Sequence, residues 1–227
     1  MQQPKVPVAS EGVPFILFSG FATLVFALIG LSLPALLCLL LTAFVTYFFR
    51  DPSRVVPTDP GAIICPADGK VIQVREVDDH RFAQQRVLKI SIFMNVFNVH
   101  VNRIPMGGTV ERVFLSPGAF YAADKDKAEL HNEYCALTIT TSAGLQYTVV
   151  QIAGFIARRI VCWAEQGDLV TAGQRFGLIR FGSRVDLYLP PTVQVQVQTG
   201  DKVRAGETIL GLAAETNGQE KNQESIA

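Results

Sequence analysis

Leu88-Lys89-Ile90-Ser91-Ile92-Phe93-Met94 is the stretch that decides the fold class of this chain. Leu88, Ile90, Ile92 and Met94 fall on one face of an extended segment, with Lys89 and Ser91 on the other. That period of two marks a strand with one face against a core. Cys135, Leu137 and Ile139 alternate with Ala136 and Thr138, and Val193, Val195 and Val197 alternate with glutamines. Runs of this kind, separated by Gly, Pro and Asp, predict a mainly β domain, an antiparallel β-sandwich or barrel-like structure. Beyond residue 49 a short helix over 121–131 is the single helical expectation.

The N-terminal part reads differently. From Val13 to Phe49 there are 37 residues without a charge, too many for one membrane span of roughly 17–25 residues and enough for two short ones. Gly30-Leu31-Ser32-Leu33-Pro34 breaks the run, and Pro34 suits the first turn of a second helix. The expectation is a membrane-associated helical hairpin within residues 1–49, with helices over about 13–31 and 34–49. A secretory signal peptide fits less well, because only Lys5 precedes the apolar run. A hairpin buried in a soluble core is the other alternative. Arg50 and Arg54 follow at once, and positive charge at a span's end places the following domain on the cytoplasmic side. Residues 50–61, with three prolines and a glycine, read as an extended linker to a domain over 62–227.

Composition narrows the function classes. The 227 residues carry 20 basic and 20 acidic side chains, a balance unlike that of a nucleic-acid binder. Four separated cysteines, Cys38, Cys65, Cys135 and Cys162, contain no CxxC pair, a poor disulfide framework and a poor zinc site. No metal is expected. Gly167-Asp168-Leu169-Val170-Thr171-Ala172-Gly173 recurs as Gly200-Asp201-Lys202-Val203-Arg204-Ala205-Gly206. These repeats resemble the turns of biotinyl and lipoyl carrier domains, where glycine takes positive φ at tight corners. Pro66-Ala67-Asp68-Gly69-Lys70-Val71 resembles the opening strand of the same β-hammerhead.

Few residues are suited to acid–base chemistry. His80 and His131 lie in charged stretches and read as solvated. His100, in Phe97-Asn98-Val99-His100-Val101-Asn102-Arg103-Ile104-Pro105, sits in an apolar strand pattern, either as a structural histidine or as a proton carrier. Asp68, in Pro-Ala-Asp-Gly, is a turn residue, or a carboxylate that orients an imidazole. Arg158 and Arg159 end a strand in solvent or hold an anionic headgroup. Lys70, Lys89, Lys125, Lys127 and Lys202 read as surface residues, and no glycine-rich phosphate loop stands beside them. That leaves little to hold pyridoxal phosphate. Gly182-Ser183, in Arg180-Phe181-Gly182-Ser183-Arg184, is a common dipeptide whose meaning depends on its setting.

That setting resembles the phosphatidylserine decarboxylase family, in its short, membrane-associated, pyruvoyl-dependent form. The resemblance rests on the apolar hairpin, Phe48-Phe49-Arg50-Asp51-Pro52, Pro66 to Val71, Asn98 to Pro105, Gly173-Gln174-Arg175-Phe176-Gly177 and Phe181-Gly182-Ser183. It departs from larger members at Arg184, where they carry threonine, and at Arg103, where they carry a second histidine. Related short members often have arginine where this chain has Tyr134.

The resemblance implies that Ser183 attacks the Gly182 carbonyl and that the chain cuts itself into 1–182 and 183–227. Ser183 then becomes a pyruvoyl cofactor, which forms a Schiff base with phosphatidylserine, so that carbon dioxide leaves and phosphatidylethanolamine is released. It further implies His100 as proton carrier with Asp68 in support, two chains that remain associated, a homo-oligomer, and a bilayer partner. Two alternatives stand beside it: a decarboxylase of another serine-headed lipid such as an archaetidylserine, and a non-catalytic membrane-anchored biotinyl/lipoyl-like adaptor.

Overall fold

The computed structural model describes residues 7–118, 132–154, 159–180 and 183–213. The helix expected over 121–131, Arg158 and Gly182 lie outside them. A 3-10 turn at Ser10–Gly12 leads into α1 (Val13–Leu28), and α2 (Ser32–Phe48) returns antiparallel to it. Pro14 occupies the first turn of α1, where its missing N–H has no partner to lose. Gly30, at φ 80°, takes the corner between the helices. The second helix starts two residues earlier than expected, with Pro34 still inside its first turn. Phe18, Phe21, Leu28 and Leu33 stand among many exposed apolar side chains on this hairpin. Ser10–Leu28 is long and apolar enough to cross a membrane, whereas α2 is shorter.

The rest is antiparallel β structure. The strands are β1 (Ala62–Ile64), β2 (Gly69–Asp79), β3 (Gln85–Met94), β4 (Val101–Arg103), β5 (Gly108–Ser116), β6 (Tyr134–Thr140) and β7 (Gln146–Ala153). They continue as β8 (Ile160–Cys162), β9 (Leu169–Val170), β10 (Arg175–Ile179), β11 (Ser183–Leu189), β12 (Gln194–Val195), β13 (Lys202–Val203) and β14 (Ile209–Leu212). One curled sheet of eight runs β13-β2-β3-β11-β7-β6-β5-β9; two sheets of three run β1-β14-β12 and β4-β10-β8.

This order is symmetric about the β11–β7 seam. On one side lie β11, β3, β2 and β13, and on the other β7, β6, β5 and β9, each with a three-stranded sheet. The backbone bonds repeat as well. Val71 donates to Asp201 and accepts from Gly200, while Gly206 donates to Cys65. In the other half Val110 donates to Asp168 and accepts from Gly167, while Gly173 donates to Ile104. Gly167, Gly173, Gly200 and Gly206 have φ of 92°, 76°, 108° and 78°, so the repeated motif needs glycine at its corners. The chain builds β1–β3 of the first half, then the whole second half (β4–β10), and returns at Ser183 to finish the first. The strand β3 and its partner β11 therefore correspond to the β6–β7 hairpin, with an entire half inserted at the hairpin tip.

The inner face of the large sheet carries Ile90, Ile92, Met94, Leu137, Val149, Val185 and Leu187 in one apolar core, as the alternation of β3 requires. Its outer face overturns one expectation. Lys89, read as a surface residue, is 1% exposed. Its ammonium lies 3.3 Å from Asp186 and near the Tyr188 ring. Arg184 forks onto Asp186 at 2.6 and 2.8 Å and also donates to Ser91. The expected 193–197 strand shrinks to β12, where Val195 is 36% exposed. With two buried cations resting on one carboxylate, Asp186→Asn is expected to destabilise the protein by about 3–5 kcal/mol. Chemical denaturation in detergent measures this, and a loss under about 1 kcal/mol would contradict the buried pairing.

Candidate active site

Ser183 opens β11, opposite Met94 of β3 and Ala153 of β7, so its side chain shares the inner face with theirs. It is fully buried, and its Oγ has no hydrogen-bond partner among the described residues. His100 precedes β4 and is equally buried. Its Nδ1 lies 3.0 Å from the Asn98 carbonyl. A carbonyl only accepts, so Nδ1 carries the hydrogen and Nε2 holds the lone pair. That Nε2 is also buried and unpartnered. Burial lowers the pKa of His100 to about 4; the Asn98 bond works against this shift and the Arg50 charge works with it. The site thus holds a neutral imidazole with a free basic nitrogen and a free hydroxyl.

The surroundings of the two groups are linked by contacts between their neighbours. Met94, opposite Ser183, has its sulfur 3.6 Å from Asn102 Nδ2, two residues past His100, and the His100 carbonyl accepts from Ile179 near the end of β10. A family model for phosphatidylserine decarboxylase matches residues 41–211. The chain is 56% identical over 211 residues to the phosphatidylserine decarboxylase proenzyme of Desulfotalea psychrophila, covering 93% of this chain and 99% of that one. It is 52% identical to the proenzyme of Syntrophotalea carbinolica and 47% to that of Geotalea uraniireducens, each with the same coverage. The chain belongs to the phosphatidylserine decarboxylase family.

In this decarboxylase the other described residues singled out in the sequence have partners of their own or are exposed. Asp68 does not hydrogen-bond to His100. One of its oxygens accepts from Arg54 at 2.8 Å and the other from the Ala205 N–H at 2.8 Å, so it ties the extended 50–61 segment to the repeat corner. Arg103, standing where larger members have histidine, donates to the carbonyls of Gly173 and Pro52 and lies 3.4 Å from Asp51. Burial and the neighbouring Arg175 charge lower its pKa to about 10. It is still a cation at neutral pH and cannot take a proton. Asp51 also pairs with Arg175 at 2.5 Å. The segment after the hairpin is therefore bolted to the domain by three arginines. Tyr134 lies against Phe82, Phe114 and Arg81. His80 and Arg159 are exposed, and His131 lies outside the described residues. Among the described residues no group of three or more His, Cys, Asp or Glu side chains is placed to hold a metal.

Three residues that the sequence reading passed over adjoin Ser183 or His100 in space or along the chain. Phe48, at the end of α2, stacks on His100 with ring centroids 4.3 Å apart and removes water from it. Gln151, fully buried on β7, lies diagonal to Ser183 on the same face. Its Nε2 donates to Asn102 Oδ1 at 2.8 Å, and Asn102 Nδ2 reaches the Pro66 carbonyl. That carbonyl can only accept, so the chain of amides has one polarity and leaves Gln151 Oε1 as a buried acceptor without a partner among the described residues. Gly177 makes room for it: a Cβ there would lie 2.8 Å from Gln151 Nε2. Arg180, three residues before Ser183, has a buried unpartnered Nε. A glutamine inside Val149-Val150-Gln151-Ile152 was the one available signal.

Burial keeps His100 neutral, so in uncut Ser183→Ala protein its imidazole is expected to titrate near pH 4 rather than about 6.5, as followed by NMR. The unfolded chain binds that proton first, so stability falls as the pH drops from about 6.5 towards 4. A midpoint at or above 6.5 would mean that the ring is hydrated.

Proposed function

We propose that this chain makes its own pyruvoyl group at Ser183 and uses it to decarboxylate phosphatidylserine to phosphatidylethanolamine. The observation that carries the reading is the pair of buried, unpartnered groups, Ser183 Oγ and His100 Nε2. Unpaired buried polar atoms cost about 1–3 kcal/mol each, and functional sites are where a protein retains such costs.

The residues fit the group. His100 Nε2 takes the hydroxyl proton as Ser183 Oγ attacks the Gly182 carbonyl, and an ester replaces the peptide bond. Removal of the Ser183 α-proton expels the Gly182 carboxylate and ends the large chain at 182. Water then replaces the nitrogen of the dehydroalanine at 183, and ammonia leaves. The pyruvoyl group supplies a carbonyl that takes the substrate amine and an electron sink for the pair released with carbon dioxide. His100 Nε2, neutral and dry behind Phe48, takes a proton from the substrate ammonium as the amine attacks and returns it to the α-carbon after carbon dioxide leaves. Asp68 supports this indirectly, by holding Arg54 and the Ala205 amide.

The small chain, 183–227, starts with β11, which is paired on both sides along its length and buried throughout. That supports two chains that stay associated after the cut. Within one sheet, the same pairing would hold in each copy of a homo-oligomer. The apolar hairpin belongs in the bilayer, with the β domain at the cytoplasmic face where the serine headgroup lies. Of the two arginines behind that orientation, Arg54 is neutralised by Asp68 and Glu207, so Arg50 carries it. A decarboxylase of another serine-headed lipid would use the same residues; comparing lipid substrates with one preparation separates the two.

Intact-mass analysis of active wild-type protein is expected to give two chains, with an amino-blocked start at residue 183. Ser183→Ala stays whole and inactive, and His100→Ala loses cleavage, decarboxylation or both by at least about a hundredfold. A single uncut species with full activity would overturn the mechanism.

A further inference from the structure

Arg180 stands at one end of a ladder of rings. Its guanidinium lies 5.5 Å from the centroid of Phe15 in α1. Phe15 stacks on Phe49 at 5.8 Å with planes 8° apart, and Phe49 meets Phe48 edge-on at 5.0 Å. Phe48 covers His100. The ladder thus starts at a cation, passes through the foot of the membrane hairpin and finishes on the imidazole of the site. Along the chain, Arg180 is three residues from Ser183, and its backbone N–H is anchored to the Arg159 carbonyl.

Among the described residues nothing answers its charge. Among the described residues no carboxylate pairs with Arg180, and its Nε is buried without an acceptor. The acids on neighbouring elements are otherwise engaged: Glu11 accepts from Trp163 and Ser10, and Glu133 accepts from the Ile160 N–H. Arg50, another cation, is held on the carbonyls of Phe97 and Tyr47. A guanidinium whose buried Nε has no acceptor among the described residues is shaped for an oxyanion, and its leaning on Phe15 fixes where that anion sits.

We propose that Arg180 binds the phosphodiester of the lipid headgroup, a role that rests on residue 183 being the reacting centre. The substrate offers two anions, and the chemistry chooses between them. Its carboxylate loses its charge as carbon dioxide departs, so an ion pair to it would be strongest before the transition state and would raise the barrier. The phosphodiester keeps its charge throughout, so a grip there holds substrate and transition state equally. It also lies between the serine carbons and the glycerol that enters the bilayer, as Arg180 lies between residue 183 and α1.

The test compares full-length wild type, Arg180→Gln and Arg180→Lys in detergent, with short-chain phosphatidylserine as substrate and short-chain phosphatidylethanolamine as competing product. The product retains the phosphate and lacks the carboxylate. Arg180→Gln is expected to be cut like wild type, to raise KM about ten- to hundredfold with a much smaller loss in kcat, and to raise the product's Ki by the same factor. Arg180→Lys recovers part of both. An unchanged KM in both variants overturns the proposal. A raised KM with unchanged Ki assigns Arg180 to the carboxylate and overturns it too, as does an uncut Arg180→Gln beside a cut wild type. An uncut but active wild type instead defeats the reading of residue 183.

Discussion

The pairing of β11 between β3 and β7 is the constraint on which the other features depend. It forms the seam between the two halves of the domain, and every one of its residues is buried. A strand in that position has its backbone bonds satisfied on both edges and its side chains covered on both faces. The bond that precedes it can then be broken without losing the strand, because covalent continuity contributes little to a position already fixed by two ladders. The outer face adds a second lock. Arg184 forks onto Asp186 beside Lys89, directly after Ser183, and fixes the first residues of the strand where fraying would otherwise begin. The arginine that departs from the larger relatives' threonine is accounted for by this pairing.

The apolar hairpin also contributes to the interior of the domain. Its foot supplies Phe48 and Phe49, both almost fully buried, and Phe48 forms one wall of the His100 environment. Removing water from an imidazole disfavours its charged form, so the apolar hairpin also helps to keep His100 neutral. The 50–61 segment transmits that position. Asp51 holds Arg103 and Arg175, while Arg54 joins Asp68 and Glu207. That bracing ties the foot of the hairpin to the β domain.

Much of this was legible in the residues, for identifiable reasons. The uncharged run and its Gly-Pro break mark the hairpin, the alternation of β3 gives the sheet, and repeated Gly-Asp corners give positive φ. Local pattern stops being informative where a residue's partner is distant in the chain. Lys89 alternates like a surface residue, yet the far face of its strand is covered, and its partner Asp186 is on β11. Asp68 sits in a turn motif that says nothing of Arg54 or Ala205. His100 was recognisable as a candidate by its apolar neighbours, but its tautomer depends on the Asn98 carbonyl and its dryness on Phe48, half a domain earlier in sequence. Gln151 was a polar interruption in an apolar strand. Only the fixed polarity from Pro66 through Asn102 leaves its Oε1 as a buried acceptor without a partner among the described residues.

The duplicated architecture accounts for the position of the chemistry. In the second half, β6 and β7 are joined by a closed turn: the Leu145 N–H donates to Thr141 Oγ1, and Gly144 takes φ 77°. In the first half the corresponding tip is where the second half has been inserted, so the chain arrives at β11 from β10 instead of turning back from β3. A hairpin tip of the first kind has its polar groups satisfied locally. An arrival of the second kind brings Ser183 into a buried strand with its hydroxyl unpaired, next to a face lined by Met94, Asn102 and Gln151. The symmetry of the sheet is therefore broken at one backbone junction, where Ser183 begins β11. The same insertion brings Arg180 to the hairpin foot, because β10 must end beside His100 for β11 to begin.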